Sequence, residues 1–498
     1  MGYGFSAADI AYLASPPGAA ALAEVAELAL TTASQLHDVA AVRRAHGDRA
    51  PALIETVRLR RRAAAKLSGA QDWLFTDDAL QQATPTLVAR HRATRLAGRD
   101  VHDVTCSIGA ELVELARVCP RVVGSDLDQV RLRMARHNLS RPVSPDDARW
   151  GPGPVSRPGA GQEFRRDESA SEGYVSVAPD AAWLPATGSS ARPHAVEPAR
   201  TADELPNNRG GSTPVPPSAA GTAPVDALGA VPFTAPADGP GAVPPAGAGG
   251  VPTNTLLVRA DALVPCTAGT VIIADPARRA GDKRTFDPAA LQPPLPDLLA
   301  AYPGRDLAVK CAPGLDFDRL GWAGEIEVVS LDGAVREACL WSAGLSEPGV
   351  TRRATVLTGQ GTVTTLTDAE PDEIPEQPPG EWIIDPDGAV VRAGLVRHYA
   401  ARHGLWQLDP RIAYLTGDRL PAGVRGFRII DRLEFREKTL RTELRRRECG
   451  ALEILVRGVD VDPDVLRRRL KLTGSESYAL VITRIGRAAT VFLCRASR

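Results

Sequence analysis

Four aspartates stand where apolar runs stop: Asp103 after VH, Asp126 after VVGS, Asp261 after LLVRA and Asp275 after VIIA. In open α/β sheets ligands sit beyond the carboxyl ends of the strands, and all four acids would sit there. The turn after the first run narrows the ligand. A dinucleotide fingerprint needs three glycines, because a pyrophosphate must touch bare backbone at a helix N-terminus. Here Gly109 is present, but Thr105 and Ser107 stand where the other glycines would be, so a diphosphate is poorly served. Asp126, ending the second strand, is placed to accept hydrogen bonds from both hydroxyls of a ribose. For Asp103 and Asp126 an alternative stays open, that they are turn and helix-capping aspartates.

The elements that must position these acids can be read from the spacing. After Asp103 the chain turns through Thr105, Ser107 and Gly109 into a helix with Leu112, Leu115, Ala116 and Cys119 on one face. A second strand, Val122 to Ser125, is followed by a segment with Val130, Met134 and Leu139 at helical spacing. Strand, helix, strand, helix with short connections implies parallel strands and right-handed crossovers. That is half of a nucleotide-binding α/β sheet. S-adenosylmethionine carries no phosphate, and its sites tolerate side chains in the first turn.

The runs WLFTDDALQQATPTLVARHRATRL, DVTCSIG and GSDLDQVRLRMARHNL resemble the class I S-adenosylmethionine-dependent methyltransferases. Within them, the chain resembles the bacterial family whose C-terminus carries a THUMP-like domain. The stretch from Phe75 to Leu139 is also similar to trimethylguanosine synthase, an RNA-cap methyltransferase. The resemblance implies that Asp103, Cys106 and Gly109 line the methionine end of the cofactor, Asp126 the ribose and Asp261 the adenine. The segment before the first strand folds over the cofactor in such enzymes, which makes Phe75, Thr76 and Gln82 candidates to contact it. The competing expectation is a lid packed by Trp73 and Phe75 without polar contacts. Two residues depart from the family pattern: Ser107 replaces a glycine, and the target motif has no aromatic.

That motif is DPAR, at the position of the (D/N)PP of nucleic-acid methyltransferases. Pro276 rigidifies the backbone, so that Asp275 and adjacent carbonyls hold the acceptor in line with the methyl–sulfonium bond. Asp275 and Pro276 are therefore the candidate catalytic pair. Arg278 and Arg279 would face the substrate entrance and suit phosphate, or else form a surface loop. Asp287 is expected to cap a helix. On the fifth strand, Asp306 to Cys311, Cys311 has no partner base in sequence and is expected to be a structural thiol. The run GEIEVVSLDGAVREACLW closes the sheet as an antiparallel hairpin turning at Asp332-Gly333.

A chain of 498 residues predicts roughly two to four domains. Residues 1–75 read as a helical domain, with periodic stretches around Ala20 to Leu36 and Pro51 to Leu67. The second of these contains Arg58, Arg60, Arg61, Arg62 and Lys66, either a solvated face or a phosphate-contacting patch. In the next segment, Thr84 is expected to cap a helix that starts at Pro85. Residues 76–347 form the Rossmann-like methyltransferase domain, interrupted by a Pro, Ala and Gly-rich stretch at 142–254 whose composition predicts a disordered insertion. Residues 348–380 read as edge strands and a linker, and 381–498 as an α/β sandwich consistent with the THUMP-like resemblance.

Formal net charge is −1, so there is no global claim on nucleic acid and any such binding must be local. The C-terminal domain supplies a local excess: residues 425–498 carry 18 basic and 10 acidic side chains. Arg445 and Arg446 end one helix, and Arg467 to Lys471 form another cluster. Arginines there also complement a helix dipole, and the resemblance tips the reading toward RNA docking. Seven cysteines without a CxxC pair read as free thiols without disulfides. No apolar run approaches a membrane span, and a cytoplasmic enzyme is expected. The eight histidines show no metal-ligand spacing. The leading expectation is an RNA methyltransferase that modifies a nitrogen, since no activated nucleophile is evident. The rival is a non-catalytic RNA-binding protein with a decayed methyltransferase domain.

Overall fold

Short β-branched runs ending in acids become the central strands, as their sequence asks. A computed structural model describes residues 2–141, 251–277, 279–280, 283–284 and 287–497, with only the backbone of 279–280 and 283–284. Arg278 and nearly all of the expected insertion lie outside the described residues, and of Arg279 only the backbone is described.

The N-terminal part folds as α1 (Ala7–Leu13), α2 (Pro16–Ala26), α3 (Gln35–His46) and α4 (Ala50–Ala63). Ser6 and Ser15 cap the first two helices by accepting from the backbone N–H of Asp9 and Gly18. The periodic stretch from Ala20 to Leu36 is not one helix. It breaks after Ala26, Leu30 takes a positive φ of 50°, and Leu36 is 89% exposed. Leu22, Leu53 and Val57 form one core with Phe75 and with two residues from the sheet domain, Ile108 and Met134.

Next come α5 (Asp77–Gln82), α6 (Thr86–Arg95), β1 (Val101–Asp103), α7 (Ala110–Leu115), β2 (Val122–Asp126), α8 (Gln129–Leu139), β3 (Thr255–Arg259) and β4 (Val271–Ala274). A short hairpin, β5 (Arg279–Ala280) and β6 (Lys283–Arg284), follows β4. After it stand α9 (Leu295–Ala301), β7 (Leu307–Cys311), α10 (Phe317–Leu320), β8 (Glu325–Leu331), β9 (Ala334–Trp341), β10 (Arg352–Leu357) and β11 (Val363–Thr367). These build a nine-stranded sheet in the order β11-β10-β8-β9-β7-β4-β1-β2-β3. Strands β3, β2, β1, β4 and β7 run parallel, whereas β9 runs antiparallel between β7 and β8. The β8–β9 turn falls at Asp332 and Gly333, both at positive φ, as the Asp-Gly pair predicts. Strand order reverses between β1 and β4, so the switch point lies between Asp103 and Asp275.

Helix α6 is fastened to the sheet by ions. Arg95 reaches Glu325 at 2.6 Å and Glu327 at 2.8 Å, and His91 Nε2 lies 2.7 Å from Glu327. Arg92 pairs with Glu111 of α7 and Glu337 of β9. Glu325, Glu327 and Glu337 are all buried, and the positive groups of His91 and Arg95 beside Glu327 hold its carboxyl well below the usual range despite burial.

The C-terminal part comprises β12 (Trp382–Ile384), α11 (Gly388–Arg392), α12 (Val396–His403), β13 (Trp406–Gln407), β14 (Leu415–Gly417), β15 (Gly426–Glu434), α13 (Glu437–Arg446), β16 (Cys449–Arg457), α14 (Pro463–Leu470), β17 (Glu476–Ile485) and β18 (Ala488–Ala496). Its sheet runs β13-β14-β12-β15-β18-β17-β16, with β16 and β17 parallel. Leu440, Leu444, Leu466 and Leu470 press the two long helices onto Leu480, Ile482 and Leu493. Ala389 and Val390 of α11 instead join the apolar core of the large sheet with Ile326, Val328 and Ala338.

Candidate functional site

A cavity of about 380 Å³ opens at the switch point. Asp103, Asp126, Asp261 and Asp275 all line it, from four separate strand ends. Cys106, Ser107 and Glu111 line it from the first turn and α7. Ala79, Gln82, Ala83 and Thr84 cover one side, and Ala277, Gln292 and Pro293 bound the other. The volume falls in the range of small-molecule sites.

The first turn is tied to its neighbours by backbone bonds to side chains. Asp103 Oδ1 accepts from the Thr105 amide at 3.0 Å, and the Thr105 hydroxyl accepts from the Asp275 amide at 2.7 Å. Asp126 accepts from the Ser107 amide at 3.0 Å and the Asp128 amide at 2.8 Å. Ser107 sits at a positive φ of 49°, a conformation that favours glycine, and Gly109 follows at 81° to open α7. A Cβ at Gly109 would also come within 3.2 Å of Ala135 Cβ.

Acids crowd the cavity. Burial pushes the Asp103 carboxyl up to about 8, helped by the negative charge of Glu111, Asp275 and Asp126. Burial also raises the Asp126 carboxyl, and it drives the Cys106 thiol well above its usual value, with Asp103 and Asp126 adding to the effect. A site of this sign repels phosphate and favours a cation. Two polar atoms of the lining, Ser107 Oγ and Glu111 Oε2, are buried with no hydrogen-bond partner among the described residues. Buried polar atoms are normally paired, so both suit a polar, positively charged ligand.

Comparison with known proteins bears on that ligand. Over 466 aligned residues the chain is 45% identical to proteins of Mycobacterium tuberculosis, strains CDC 1551 / Oshkosh and H37Rv, each named an S-adenosylmethionine-dependent methyltransferase. The match covers 91% of this chain and 99% of each relative. The chain belongs to the S-adenosylmethionine-dependent methyltransferases. A cationic sulfonium cofactor fits the acid-lined cavity, and of the two expectations the enzyme stands. A solved structure from Porphyromonas gingivalis W83, described as a methyltransferase, shares the fold with TM-score 0.56 and 16% identity, covering 90% of this chain and 91% of that one. Residues 424–496 match the family described as THUMP domain-like, and residues 6–63 match a domain of unknown function.

The methyltransferase departs from the expected lid. Gln82 lines the cavity, but Phe75 and Thr76 do not. Phe75 is buried in the helical core, stacked on Trp73 with centroids 6.1 Å apart, and Thr76 caps α5 by accepting from the Ala79 amide. Gly109 starts α7 and is not part of the lining either. Thr84 does not cap α6, whose first turn has no side-chain cap; its hydroxyl takes a hydrogen bond from Lys310 instead. Asp287 does cap a short turn of helix, Pro288–Ala290. Cys311 is buried in the apolar core, and none of the seven cysteines is in a disulfide. Sequence reasoning assigned no site role to Thr105, Glu111 or Lys310. A polar residue on an otherwise apolar strand was the available signal for the last.

The arginine-rich end of α4 is solvent-exposed at Arg61 and Arg62, yet most of its cations are engaged within the helical part. Arg61 donates to the carbonyls of Ala26, Leu28 and Ala29, closing the end of α2. Arg60 donates to Trp73 O, Arg62 pairs with Asp77 at 2.6 Å, and Lys66 donates to Leu80 and Gln81 at the end of α5. In the C-terminal domain Arg446 and Arg447 both hold Glu443, whose carboxyl they lower to about 2, whereas Arg445 is exposed with no side-chain bond among the described residues. Arg467 and Arg469 pair with Asp464 and Glu437. Arg468 and Lys471 stay exposed. No helix among the described residues is long and apolar enough to cross a membrane, and no group of three metal-ligating side chains occurs among them.

Proposed function

We propose that this enzyme methylates a nitrogen of RNA, binding the cofactor in the acid-lined cavity and the RNA on the C-terminal domain. The observation that carries the cofactor arrangement is the convergence of Asp103, Asp126, Asp261 and Asp275 on one cavity at the switch point. When bound, S-adenosylmethionine supplies a methyl group on a positively charged sulfur. Asp126 holds the ribose hydroxyls and Asp261 the adenine edge. Asp103, Cys106, Ser107 and Glu111 surround the methionine end, where the two acids among them suit its ammonium. Gly109 shapes the turn that presents them.

Asp275 and Pro276 form the acceptor side. Asp275 accepts a hydrogen bond from an amino group and points its lone pair at the methyl carbon, while the 275–277 backbone fixes the approach. Orientation does most of the work in such a transfer, because no covalent intermediate with the protein is needed. The RNA half of the proposal rests on the THUMP-like match at 424–496 and on the 18 basic against 10 acidic side chains of residues 425–498. The exposed Arg445 suits a phosphate, Arg446 stands beside it bound to Glu443, and Arg278 and Arg279 follow the catalytic pair in sequence as candidates for the same role. The domains act as units: helical 1–75, catalytic 76–347, edge strands and linker 348–380, and RNA-docking 381–498.

The test is incubation of the full chain with radiolabelled S-adenosylmethionine and total cellular RNA, followed by nuclease. Nuclease-sensitive label is expected. Cofactor binding without label in RNA would overturn the acceptor assignment.

A further inference from the structure

Lys310 sits in the middle of β7, 7% exposed, on a strand whose other residues are apolar or cysteine. A buried ammonium is costly unless fully paired, so its partners show what it is for. Its Nζ lies 2.5 Å from Asp275 Oδ2, 2.9 Å from the Thr84 hydroxyl and 3.4 Å from Gln82 O. Glu337 Oε2 stands behind it at 4.0 Å. Lys310 itself does not line the cavity, whereas Asp275, Thr84 and Gln82 do. One ammonium thus gathers the motif aspartate that follows β4 and the covering segment at 82–84, with a second acid at its back from β9.

We infer that Lys310 is the positioning residue of the acceptor side: it aims the Asp275 carboxylate into the cavity and ties the covering segment to it. This rests on the assignment of Asp275 to the acceptor. Asp275 has no other side-chain anchor among the described residues, and its own side chain is 33% exposed toward the cavity. Asp103 faces it from β1, Lys66 from beyond the end of α4 and Arg92 from α6, while Glu337 faces Lys310. Lys310 is the nearest of these cations and the one in hydrogen-bond contact. Among the cavity acids, Asp275 has the ammonium and Asp103 has none. Burial raises the Asp103 carboxyl, and Asp275 is one of the charges that add to the effect. Lys66 is shifted the other way, down to about 8, by its burial and then by Lys310.

The experiment uses the full chain and four variants: Lys310→Met, Lys310→Arg, Asp275→Asn and the double variant Lys310→Met with Asp275→Asn. With total cellular RNA as acceptor, Lys310→Met is expected to lower kcat about a hundredfold, the loss that follows a misplaced reacting group. Cofactor affinity by calorimetry should change by less than about threefold, because cofactor contacts are elsewhere. Lys310→Arg should recover part of kcat, because it restores a cation in hydrogen-bond reach of Asp275. A kcat loss that Lys310→Arg leaves unrecovered, or a parallel loss of cofactor affinity, would overturn the inference in favour of a structural lysine. Urea unfolding is read in parallel and needs no acceptor. The two single variants and the double variant should be non-additive, since the two side chains are in direct hydrogen-bond contact. Additive midpoint shifts would overturn the inference even if the RNA assignment holds. Should the wild type fail to label RNA, the acceptor assignment fails on its own and the unfolding cycle still decides Lys310.

Discussion

The cavity edge and the C-terminal domain are oppositely charged, and they hold their charge in different ways. Around the cavity the acids are crowded, with Asp103 and Glu111 buried and Asp126 and Asp275 half-buried, and burial raises the carboxyls of Asp103 and Asp126. In the C-terminal domain the cations are at the surface, many already matched to an acid on the same or the next element, with Arg445, Arg468 and Lys471 left over. Crowding like charge in a small volume stores electrostatic energy that a cationic ligand releases. Spreading charge over an exposed face does not, and its attraction to a partner is screened by salt. The difference teaches that crowded acids respond to a small cation nearby, whereas cations dispersed over a surface respond to the salt around them.

The largest expected effect breaks the acid side. Asp126→Ala should weaken cofactor binding about a hundredfold, the loss of two hydrogen bonds to a charged acceptor, read by calorimetry. Unchanged affinity would remove the ribose assignment. Next, Arg445→Glu combined with Arg468→Glu should weaken RNA binding about tenfold or more at low salt and make its salt dependence shallower. Filter binding across a salt series measures both, and cofactor affinity should not move.

A smaller effect sharpens the acid side through pH. Because the folded state raises the Asp103 carboxyl to about 8, it holds a proton that the unfolded chain has lost. This group's contribution to stability is therefore present at acid pH and falls as pH rises from about 4, the unfolded value, toward about 8. A cationic cofactor favours the ionised form, so its affinity should rise severalfold between about pH 6 and 8. Asp103→Asn should flatten both trends, seen in urea midpoints and calorimetry across pH. The smallest effect separates the two kinds of arginine. Arg61→Ala should cost about 1 kcal/mol of stability, since it uncaps α2 in an exposed setting, and leave RNA binding unchanged.

Much of the catalytic sheet was legible because its signals are local. Strand ends marked by acids, an Asp-Gly turn and the run after VIIA need only a few neighbouring residues to be understood. Lys310 was not legible, because its meaning comes from Asp275, 35 residues away, and from Thr84, 226 residues away. Thr84 followed by Pro85 satisfies a helix-start rule, yet a buried ammonium nearby competes for the same hydroxyl and wins. Phe75 and Thr76 were misplaced for a related reason. Their neighbours Trp73 and Leu74 turn that strip into the helical core, where stacking and a cap bond occupy them. The basic run of α4 looked like a surface because arginine types alone do not tell whether carbonyl ends of other helices lie within reach.

The Asn138 side chain accepts from the Leu74 amide and donates to the carbonyls of Leu74 and Ile108. Ile108 belongs to the first turn of the cofactor cavity, and its side chain is buried among the N-terminal helices. The helical part is thus the outer wall of that turn and no detachable appendage. Repacking at Leu22, Leu53 or Val57 would therefore be felt at the first turn, since the helices and that turn are cast from one mould.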